Sequence, residues 1–597
     1  MASLSGNTIA STFSGLLKTS DSGARGAETA ADQCSDGAGN TIPLFVSATE
    51  VYAVGSGTGT SHTAFGKDCG VDLAAGTGNS LFGEGAGADV TTGEHNTAIG
   101  YHALFLGTTE SDDNVAIGYN AMSGAIGTES VNDCVAIGSG ALAGALDSSD
   151  GADEASGSVA IGKAAGAAIT TGARITALGF EAADVLTVGD DNMAIGYQAM
   201  SALSTTDGSD KNIAIGNYAM DGVSTLAATN NVLIGYGSGG GGWTGTTSIQ
   251  NVALGNNTLG GAMNAANNNV AVGYNSGSAI TTGDSNTLIG KSAGAALTTG
   301  GTNIAIGLDA MIVHVTGSNN IAIGNNAMAD TNAGSTSYAS DNNVFIGTTS
   351  GGGTWLNGDS ASNVCVGGNT MAGALNASSS NTCIGYSAGN AITEGDNNSC
   401  FGSLAGDSIL TGSNNVCIGY GTDIGSNKAD GNCIAIGVGI TADANEFVMG
   451  KAGNTMTSAF SSNNTWTQSS DERKKRNIQT IDLGLDFVND LRTVTFQWKP
   501  AEEHPEDWEH FYYKKDKDGN NVGDKIYAEM DTDLVMHGMI AQEVKAALDS
   551  AGVDGENFGG WSENKKGQQQ LATSMFVYPL IKAVQELSAK VTALENA

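Results

Sequence analysis

A five-residue phrase recurs along most of the 597-residue chain. It reads NTAIG at 96–100, NVAIG at 114–118 and NIAIG at 212–216. Successive copies are most often 17 residues apart, and the intervals range from 17 to 24 apart from a final one of 13. A short, nearly fixed period of this kind indicates a repeat architecture. The phrase occurs 22 times, with its glycines at positions 66, 83, 100, 118, 138, 162, 179, 196, 216, 235, 255, 273, 290, 307, 324, 347, 367, 385, 402, 419, 437 and 450.

Alternation inside the phrase predicts a β-strand. The residue before Gly is large and apolar, as at Ile99, and a small residue, usually Ala, separates it from a Val, Ile or Thr. A period of two places the large side chains on one face and the small ones on the other. A second strand is expected directly after Gly, at 101–104 for example. A Thr-Thr-Gly turn such as 281–283 is expected to use the positive φ that Gly allows.

The predicted fold is mainly β, a long β-solenoid or β-roll rod over 51–455. With strands stacked near 4.8 Å apart, 22 coils would make a rod of roughly 105 Å. We expect the large apolar face to fill the narrow roll. The Ala and Gly face, with Ala305 as an example, is then expected to form the contact between chains of a homotrimer. The alternative is that this small face meets solvent.

Two longer connections interrupt the short period. The strings VLIGYGSGGGGWTG and VFIGTTSGGGTWLNG begin 112 residues apart and place Trp243 and Trp355 in the same connection. Insertions in a solenoid form loops on one face, often the binding face. An exposed Trp beside Gly-rich backbone suits stacking on sugars, so both residues are candidate receptor contacts. A Trp buried as a wedge between coils fits the sequence equally well.

The charge balance is strongly acidic and uneven. The net charge is −37, of which residues 1–470 carry −29 and residues 471–597 carry −8. Such a rod is not expected to bind nucleic acid or an anionic membrane by counterion release. No signal peptide or membrane span is apparent in the sequence. We therefore expect synthesis in a reducing cytoplasm, without export by a signal peptide and without membrane insertion.

Cysteines occupy the small-residue slot in four consecutive coils, at Cys365, Cys383, Cys400 and Cys417. We interpret them as small buried apolar residues, although stacked thiols could in principle form disulfides. No His/Cys cluster has metal-ligand spacing, and no phosphate-binding loop occurs. The prediction is that the protein uses no metal and no cofactor.

Composition changes abruptly at Asp471, where charged residues crowd in and three of the four prolines follow. Residues 1–50 lack the phrase and read as an N-terminal attachment or cap region, and 456–470 read as a linker. In 471–597, residues 478–491 have helical spacing, 494–498 read as a strand, and 537–548 read as a strand end running into a helix. Apolar residues then fall at 4-3-4-3 spacing in a C-terminal helix, 575–597, which predicts a short coiled-coil seam of Leu580, Val584, Leu587, Val591 and Leu594.

The string SSDERKKRNI at 469–478 resembles the start of the intramolecular chaperone domain found at the C-terminus of phage endosialidases, tail spikes and tail fibres. Members of that family show Ser-Asp-x-Arg-x-Lys-x-x-Ile, and this chain has Ser470, Asp471, Arg473, Lys475 and Ile478 at those places. Later landmarks follow in order: the strand motif at 496–498, Gly-x-Ile-Ala-Gln-Glu at 538–543, and the helix at 579–587. Lys474 departs from the family, which usually has an apolar residue there.

The resemblance implies a small α+β chaperone domain that helps a trimeric rod to assemble and then cuts itself off. It implies Ser470 as nucleophile, Lys475 as base, and the bond between Ser470 and Asp471 as the cleaved bond, with the bond before Ser470 left open. A lysine can activate a serine only in its neutral form, and neighbouring cations disfavour the charged ammonium. The alternative is a solvated charge run that opens a helix, with Ser470 or Asp471 as N-cap.

The repeat also resembles the left-handed β-roll heads of trimeric autotransporter adhesins and the shafts of phage tail fibres. The combination favours a phage tail fibre, a virion protein that attaches at its N-terminal end to the tail or baseplate and binds a host glycan or protein. A tail-spike enzyme that degrades polysaccharide is the alternative. An ice- or crystal-binding solenoid would need a regular Thr ladder, whereas Thr at the relevant slot is irregular.

Overall fold

A computed structural model describes most of the chain and shows two compact units, Met1–Ser469 and Ser470–Ala597. The described residues are 32–35, 41–46, 52–53, 62–70, 73, 76–105, 111–124, 130–146, 156–203, 209–223, 228–330, 340–356, 358–425, 428–429, 431–460, 467–468, 472–505, 511–515, 521–527, 532–565 and 567–597.

The first unit begins with a hairpin of β1 (Asp32–Ser35) and β2 (Thr41–Val46), and β3 (Tyr52–Ala53) pairs with the first solenoid strand. Twenty strands of three residues then follow at the predicted positions: β4 (Thr63–Phe65), β5 (Ser80–Phe82), β6 (Thr97–Ile99), β7 (Val115–Ile117), β8 (Val135–Ile137), β9 (Val159–Ile161), β10 (Thr176–Leu178), β11 (Met193–Ile195), β12 (Ile213–Ile215), β13 (Val232–Ile234), β14 (Val252–Leu254), β15 (Val270–Val272), β16 (Thr287–Ile289), β17 (Ile304–Ile306), β18 (Ile321–Ile323), β19 (Val344–Ile346), β20 (Val364–Val366), β21 (Thr382–Ile384), β22 (Ser399–Phe401) and β23 (Val416–Ile418).

The unit ends with β24 (Asp423–Ile424), β25 (Ile434–Val438), β26 (Thr441–Ala442), β27 (Glu446–Lys451), β28 (Asn454–Ala459) and β29 (Thr467–Gln468). Strands β4–β23, β25 and β27 form one parallel ladder in chain order, and each contains or ends beside one copy of the phrase. Pairing is in register, as in Ala305 opposite Ala322. The last three strands of the unit, β27 to β29, pair antiparallel. The predicted mainly-β solenoid is confirmed.

The faces of the strands are the reverse of those expected. Ala305 is fully buried in the interior of the solenoid, whereas its neighbours Ile304 and Ile306 are only partly buried on the outside. A coil with one three-residue strand encloses too little space for a row of Ile side chains. The interior combines small strand residues with larger ones from the turns, such as Met311 and Leu297. The expectation that the Ala face forms the contact between chains is therefore wrong.

The segment after each phrase glycine forms turns and not the expected second strand. His102 and Leu104 have φ of 51° and 52°, in the left-handed region, and the Leu104 side chain is buried. Coil-to-coil hydrogen bonds continue there, since the Leu104 N–H donates to the Ala121 carbonyl at 2.9 Å. The short period had room for a strand, but left-handed residues turn the chain inward and let the turn contribute to the core.

Glycine allows neighbouring coils to approach each other closely. At Gly290, φ is 139° and an added Cβ would lie 2.2 Å from the Gly307 carbonyl oxygen of the next coil. Gly283, in a Thr-Thr-Gly turn, does not have the positive φ that was expected. An added Cβ there would lie 2.4 Å from the Gly300 carbonyl oxygen, so packing and not φ requires glycine at this turn.

Asparagine, the first letter of the phrase, forms a buried polar ladder. The Asn303 backbone N–H and Nδ2 both donate to Asn286 Oδ1, at 3.0 and 3.1 Å, and Nδ2 also donates to the Gly317 carbonyl at 2.8 Å. The Oδ1 of Asn303 accepts the same two bonds from Asn320. The amides thus satisfy one another away from water, as buried polar groups must. Thirteen consecutive coils carry this residue: Asn192, Asn212, Asn231, Asn251, Asn269, Asn286, Asn303, Asn320, Asn343, Asn363, Asn381, Asn398 and Asn415.

The second unit is a small α+β domain. Its helices are α1 (Leu485–Asp490), α2 (Ala541–Ser550) and α3 (Val577–Glu595), and its 3-10 helices are Glu472–Lys474, Ala501–Glu503, Gly555–Asn557 and Thr573–Phe576. Its antiparallel pairs are β30 (Val494–Phe496) with β33 (Met536–Gly538), β31 (Phe511–Lys515) with β32 (Asn521–Tyr527), and β34 (Trp561–Glu563) with β35 (Gln569–Leu571).

The core of this domain gathers residues far apart in sequence. Phe487 of α1, Val544 and Leu548 of α2, and Phe558 and Trp561 near β34 form one buried cluster. The predicted strand and the predicted strand-to-helix step are present at β30 and at β33–α2, while the helical spacing at 478–491 produces only α1. Within the described residues, the helices are too short or too polar to cross a lipid bilayer.

Asn303→Ala is expected to destabilise the solenoid. The change would leave the Asn320 amide groups and the Gly317 carbonyl without their buried partner, at about 1–3 kcal/mol for each unsatisfied group. Thermal unfolding followed by circular dichroism should show a clearly lower midpoint. The matched control is Asn325→Ala, an exposed amide in the next coil. Equal midpoints for both variants would contradict a stabilising role for the ladder.

Candidate autoprocessing site and chaperone domain

The predicted base, Lys475, follows directly on a short helical turn. The Lys475 backbone N–H donates to the Glu472 carbonyl at 2.9 Å and closes the 3-10 helix Glu472–Lys474. Its side chain is exposed. The predicted nucleophile Ser470 and the residue after it, Asp471, lie outside the described residues. The pairing of Ser470 with Lys475 therefore stays a prediction.

The alternative interpretation of this segment was a solvated charge run that opens a helix, with Ser470 or Asp471 as N-cap. The structure has a 3-10 helix over Glu472–Lys474, and Asn477 follows with φ of 54°. Arg473, Lys475 and Arg476 are all exposed. The described residues therefore agree with a solvated charge run that opens a short 3-10 helix, while the predicted N-cap lies outside the described residues.

The boundary between the two units falls between Ser469 and Ser470. The predicted scissile bond is one residue further along the chain. A cut there would leave the solenoid with its own core and the C-terminal domain with its separate core, because the two hydrophobic clusters share no residue. The predicted bond is thus placed where cleavage leaves both cores intact.

Glu586 joins the C-terminal helix to the start of the domain. The Leu485 backbone N–H donates to Glu586 Oε2 at 2.8 Å, and this bond caps the first turn of α1. The Lys582 Nζ lies 3.3 Å from Glu586 Oε1. Gly484 leaves room for this carboxylate, because a Cβ there would lie 2.4 Å from Oε2. The bond from Leu485, aided by Lys582, holds the pKa of Glu586 below its usual value.

A second ion pair joins α1 to α2. Arg492 donates through Nε to Glu543 Oε2 at 3.0 Å, and its Nη2 contacts Oε1, so the pair is bidentate. The Arg492 guanidinium holds the pKa of the Glu543 carboxyl below its usual value. Both side chains are largely exposed, so the pair orients the two helices more than it stabilises them.

The face of α3 turned away from the domain is apolar and exposed. Pro579 and Ala583 face inward and are buried, whereas Leu587 is 50% exposed and Leu594 is 77% exposed. The exposed residues are the predicted seam, Leu580, Val584, Leu587, Val591 and Leu594. A single chain therefore leaves this seam without cover among the described residues, as expected for a helix that packs on copies of itself.

The two candidate receptor contacts, Trp243 and Trp355, are buried. Each indole Nε1 donates to a glycine carbonyl four residues earlier, Gly239 at 3.1 Å and Gly351 at 2.9 Å. The Trp355 ring also packs edge-on against Phe345, with centroids 5.7 Å apart. Rings with 2% and 0% exposure cannot stack on a sugar, so this expectation is wrong and the alternative of a wedge inside the coil is what the structure shows.

The four stacked cysteines behave as small core residues. Cys365, Cys383, Cys400 and Cys417 face one another in register along β20–β23, and all four are buried free thiols. Contact with the Cys365 thiol, together with burial, raises the pKa of Cys383 well above its usual value. The packing interpretation is confirmed over the disulfide alternative.

The second unit is similar to a known protein family. Residues 470–553 match the family model described as chaperone of endosialidase, Peptidase S74. The whole chain finds no significant match among curated proteins or solved structures. The chain thus carries an endosialidase-type chaperone domain after a long β-solenoid.

The family match begins at Ser470, the first residue of the second unit. It suggests autoproteolytic activity and a protein of the tail fibre or tail spike type, and chaperone domains of this family act in trimeric fibres. The match covers α1 and α2 and ends before α3. The C-terminal helix and its seam are therefore known from the structure and the sequence pattern alone.

Sequence reasoning missed two features of the described chain. Glu586 had no local signal, because its partner Leu485 is 101 residues away. The second feature is the exposed aromatic side chains that follow the phrase glycine, such as Tyr119 and Tyr236. These residues were interpreted as part of a second strand. Their recurrence at one place in the coil was the signal that could have identified a surface row.

Glu586→Gln is expected to loosen the contact between α3 and α1. The folded pKa of Glu586 is lowered, so its stabilising charge is fully present above the usual pKa of 4.5 and is lost as pH falls through the lowered value. Hydrogen exchange of the 483–490 segment should be faster in the variant than in wild type at pH 7, and the difference should shrink as the pH falls through the lowered pKa of Glu586. Glu595→Gln on the same helix is the control, and equal protection in both variants would contradict the role of Glu586.

Proposed function

We propose that this protein is a tail fibre, a structural and host-adhesion component of a phage virion, whose C-terminal domain assists trimer assembly and then releases itself. The observation that carries the proposal is the family match, which starts at Ser470 where the second unit begins, directly after a solenoid of 22 phrase strands. In this proposal the N-terminal region attaches to a tail or baseplate protein, and the solenoid projects as the shaft.

The cleavage step is assigned to Ser470 and Lys475. Lys475 accepts the proton of the Ser470 hydroxyl, the Ser470 Oγ attacks a peptide carbonyl carbon, and the C–N bond breaks as the proton passes to the leaving amine. Water then hydrolyses the ester and restores the hydroxyl. The products are a new carboxyl end on the shaft and a free amine on the released domain.

Geometry links this step to assembly. If the broken bond is that between Ser470 and Asp471, the Oγ of Ser470 would have to form a four-membered ring to attack its own carbonyl. Attack by the Ser470 of a neighbouring chain avoids that ring. In that case cleavage can occur only after the chains have associated. The chaperone domain would therefore be released only after it has assisted assembly.

The exposed seam of α3 supplies a means of association. Three copies of α3 can bury Leu580, Val584 and Leu587 against one another as a short coiled coil. A domain that brings three C-termini together raises the effective concentration of the shafts above it. This matters for a repetitive shaft, because near-identical coils could otherwise pair out of register.

Release of the domain makes the fibre stable in a kinetic sense. A shaft that has lost its assembly domain keeps its folded contacts but no longer has the device that aligned its chains. It should unfold slowly and refold poorly, so its lifetime depends on the unfolding barrier.

Leu587→Asp, made in an uncut Ser470→Ala background, should prevent trimer formation. A charge at the centre of the seam would have to be buried without a partner, which is strongly unfavourable. Light scattering after size exclusion should return a smaller mass than for Ser470→Ala alone. Ser588→Asp adds the same charge on the neighbouring exposed position and should remain trimeric. A monomeric Ser470→Ala parent, or an unaffected Leu587→Asp variant, would refute association through α3.

Self-processing should convert the 59.8 kDa chain to a shaft ending near Ser470 and a fragment of about 127 residues. A denaturing gel of purified protein should show both products for wild type without added protease, metal or nucleotide. Ser470→Ala and Lys475→Ala should remain uncut, because each lacks one partner of the proton transfer.

Lys474→Ala is the matched control, since it removes a neighbouring cation outside the family spacing and should still be cut. Mass spectrometry of the fragments distinguishes cleavage after Ser470 from cleavage before it. Wild type that never splits, or a Ser470→Ala protein that splits normally, would remove the protease and leave only an assembly domain.

A further inference from the structure

A surface groove lies on the solenoid across the coils that contain β12 to β15. Its volume is about 480 Å³, within the usual range for sites that bind small molecules. Two aromatic side chains, Tyr218 and Tyr236, line it together with Asp221, Asn257, Asn275 and Ser278. The lining thus combines aromatic rings with hydroxyl, amide and carboxyl groups.

The aromatic rings belong to a longer row. Phe180, Tyr197, Tyr218 and Tyr236 stand on four successive coils, with neighbouring ring centroids 5.3, 5.4 and 5.7 Å apart. Tyr236, at the end of the row beside the groove, is 52% exposed. Because successive coils are about 4.8 Å apart, the row extends over roughly 14 Å. The Tyr218 ring stands at 71° to that of Tyr197 and at 79° to that of Tyr236. That length can contact more than one ring of an extended ligand.

A buried tryptophan supports the backbone of the groove. The Trp243 indole donates to the Gly239 carbonyl at 3.1 Å, and its backbone N–H donates to the Gly222 carbonyl at 3.0 Å. These bonds fix the glycine run whose members Gly237 and Gly240 line the groove. An added Cβ at Gly240 would lie 2.9 Å from Asp221 Oδ1, so glycine keeps room for that carboxylate.

The groove lies beside a long uncharged stretch of an acidic chain. No charged residue occurs between Asp221 and Asp284, although the whole chain carries a net charge of −37. Among the described residues, the lining offers no cation to pair with an anionic group, and the acidic chain repels polyanions. Burial raises the pKa of Asp221, which places this carboxyl in partly desolvated surroundings.

We propose that this groove binds a neutral saccharide. Tyr218 and Tyr236 stack on the apolar faces of sugar rings, and Asp221, Asn257, Asn275 and Ser278 bond the hydroxyl groups. This assignment rests on the proposed function, for which it names the class of host receptor. Glycosidases use a pair of carboxylates beside the bond that they cleave, and Asp221 is the one carboxylate among the described residues of the lining, so the groove is assigned to binding.

The test measures binding of the purified processed shaft to immobilised neutral hexaoses of the glucose, mannose, galactose and N-acetylglucosamine type. Hexagalacturonate and a sialic acid hexamer are the acidic probes. At least one neutral hexaose should bind, and both acidic ones should not. Tyr236→Ala should weaken binding about tenfold, as expected for loss of one aromatic contact.

Two matched pairs of variants separate binding from folding. Tyr386→Ala removes an exposed tyrosine outside the groove, 63% exposed against 52% for Tyr236, and should bind like wild type. At Gly260, an added Cβ would meet the Asn257 carbonyl at 3.4 Å, an ordinary contact, so Gly260→Ala should fold normally, narrow the groove and weaken binding. The control Gly242→Ala, where a Cβ meets nothing within 4 Å, should change neither folding nor binding.

Four results would overturn the assignment: no binding of any neutral hexaose, a preference for the acidic probes, equal loss in Tyr386→Ala, or loss of the trimer in Tyr236→Ala. The last would show that the aromatic row is a contact between subunits. The processing gel separates this proposal from the proposed function. A shaft that is cut normally but binds no saccharide would contradict only the proposed saccharide binding by the groove. A protein that is not cut but binds a saccharide would contradict only the proposed self-processing.

Discussion

The solenoid depends on the hydrogen bonds that join each coil to the next through a buried asparagine. Asn286, Asn303 and Asn320 each accept two bonds from the following coil and donate to a backbone carbonyl. Without these amides, the backbone at the start of the strands that follow an asparagine would be buried without partners, which is unfavourable. The interior can remain narrow because its polar groups are satisfied, and a narrow interior in turn requires Ala in the strand and glycine where coils meet.

This architecture divides the work between the two units. A coil contacts mainly its neighbours, so a shaft of this type is stable along its length but contains little information about register between chains. In the proposed function, the C-terminal domain supplies that information, and two distant contacts give it a definite shape. Glu586 ties α3 to α1, and Arg492 ties α1 to α2. The inner face of α3 is thereby committed to its own domain, and the apolar seam is left for other copies.

The longer connections, which interrupt the regular period, are where a binding site can form on the solenoid. The connection that contains Trp243 buries the indole inside the coil and leaves a glycine run on the surface, where backbone and side-chain groups can approach a ligand closely. The related connection at Trp355 also buries its ring, but Asn326 and Thr348 occupy the positions that Tyr218 and Tyr236 have beside the groove.

The sequence by itself determined the period, the positions of the strands, the boundary near Ser470, the family motif and the seam of α3. All of these depend on the spacing of residues that are close in sequence. The positions of residues such as Ile99 and Leu587 within their local pattern indicate them directly. Tertiary structure alone decided that Ala305 faces inward, that the segment of His102 turns instead of extending, that Trp243 is buried, and that Glu586 meets Leu485. Alternation tells which residues share a face, but not which face is enclosed. That choice depends on the width of the coil, which left-handed turn residues set and no periodicity reveals.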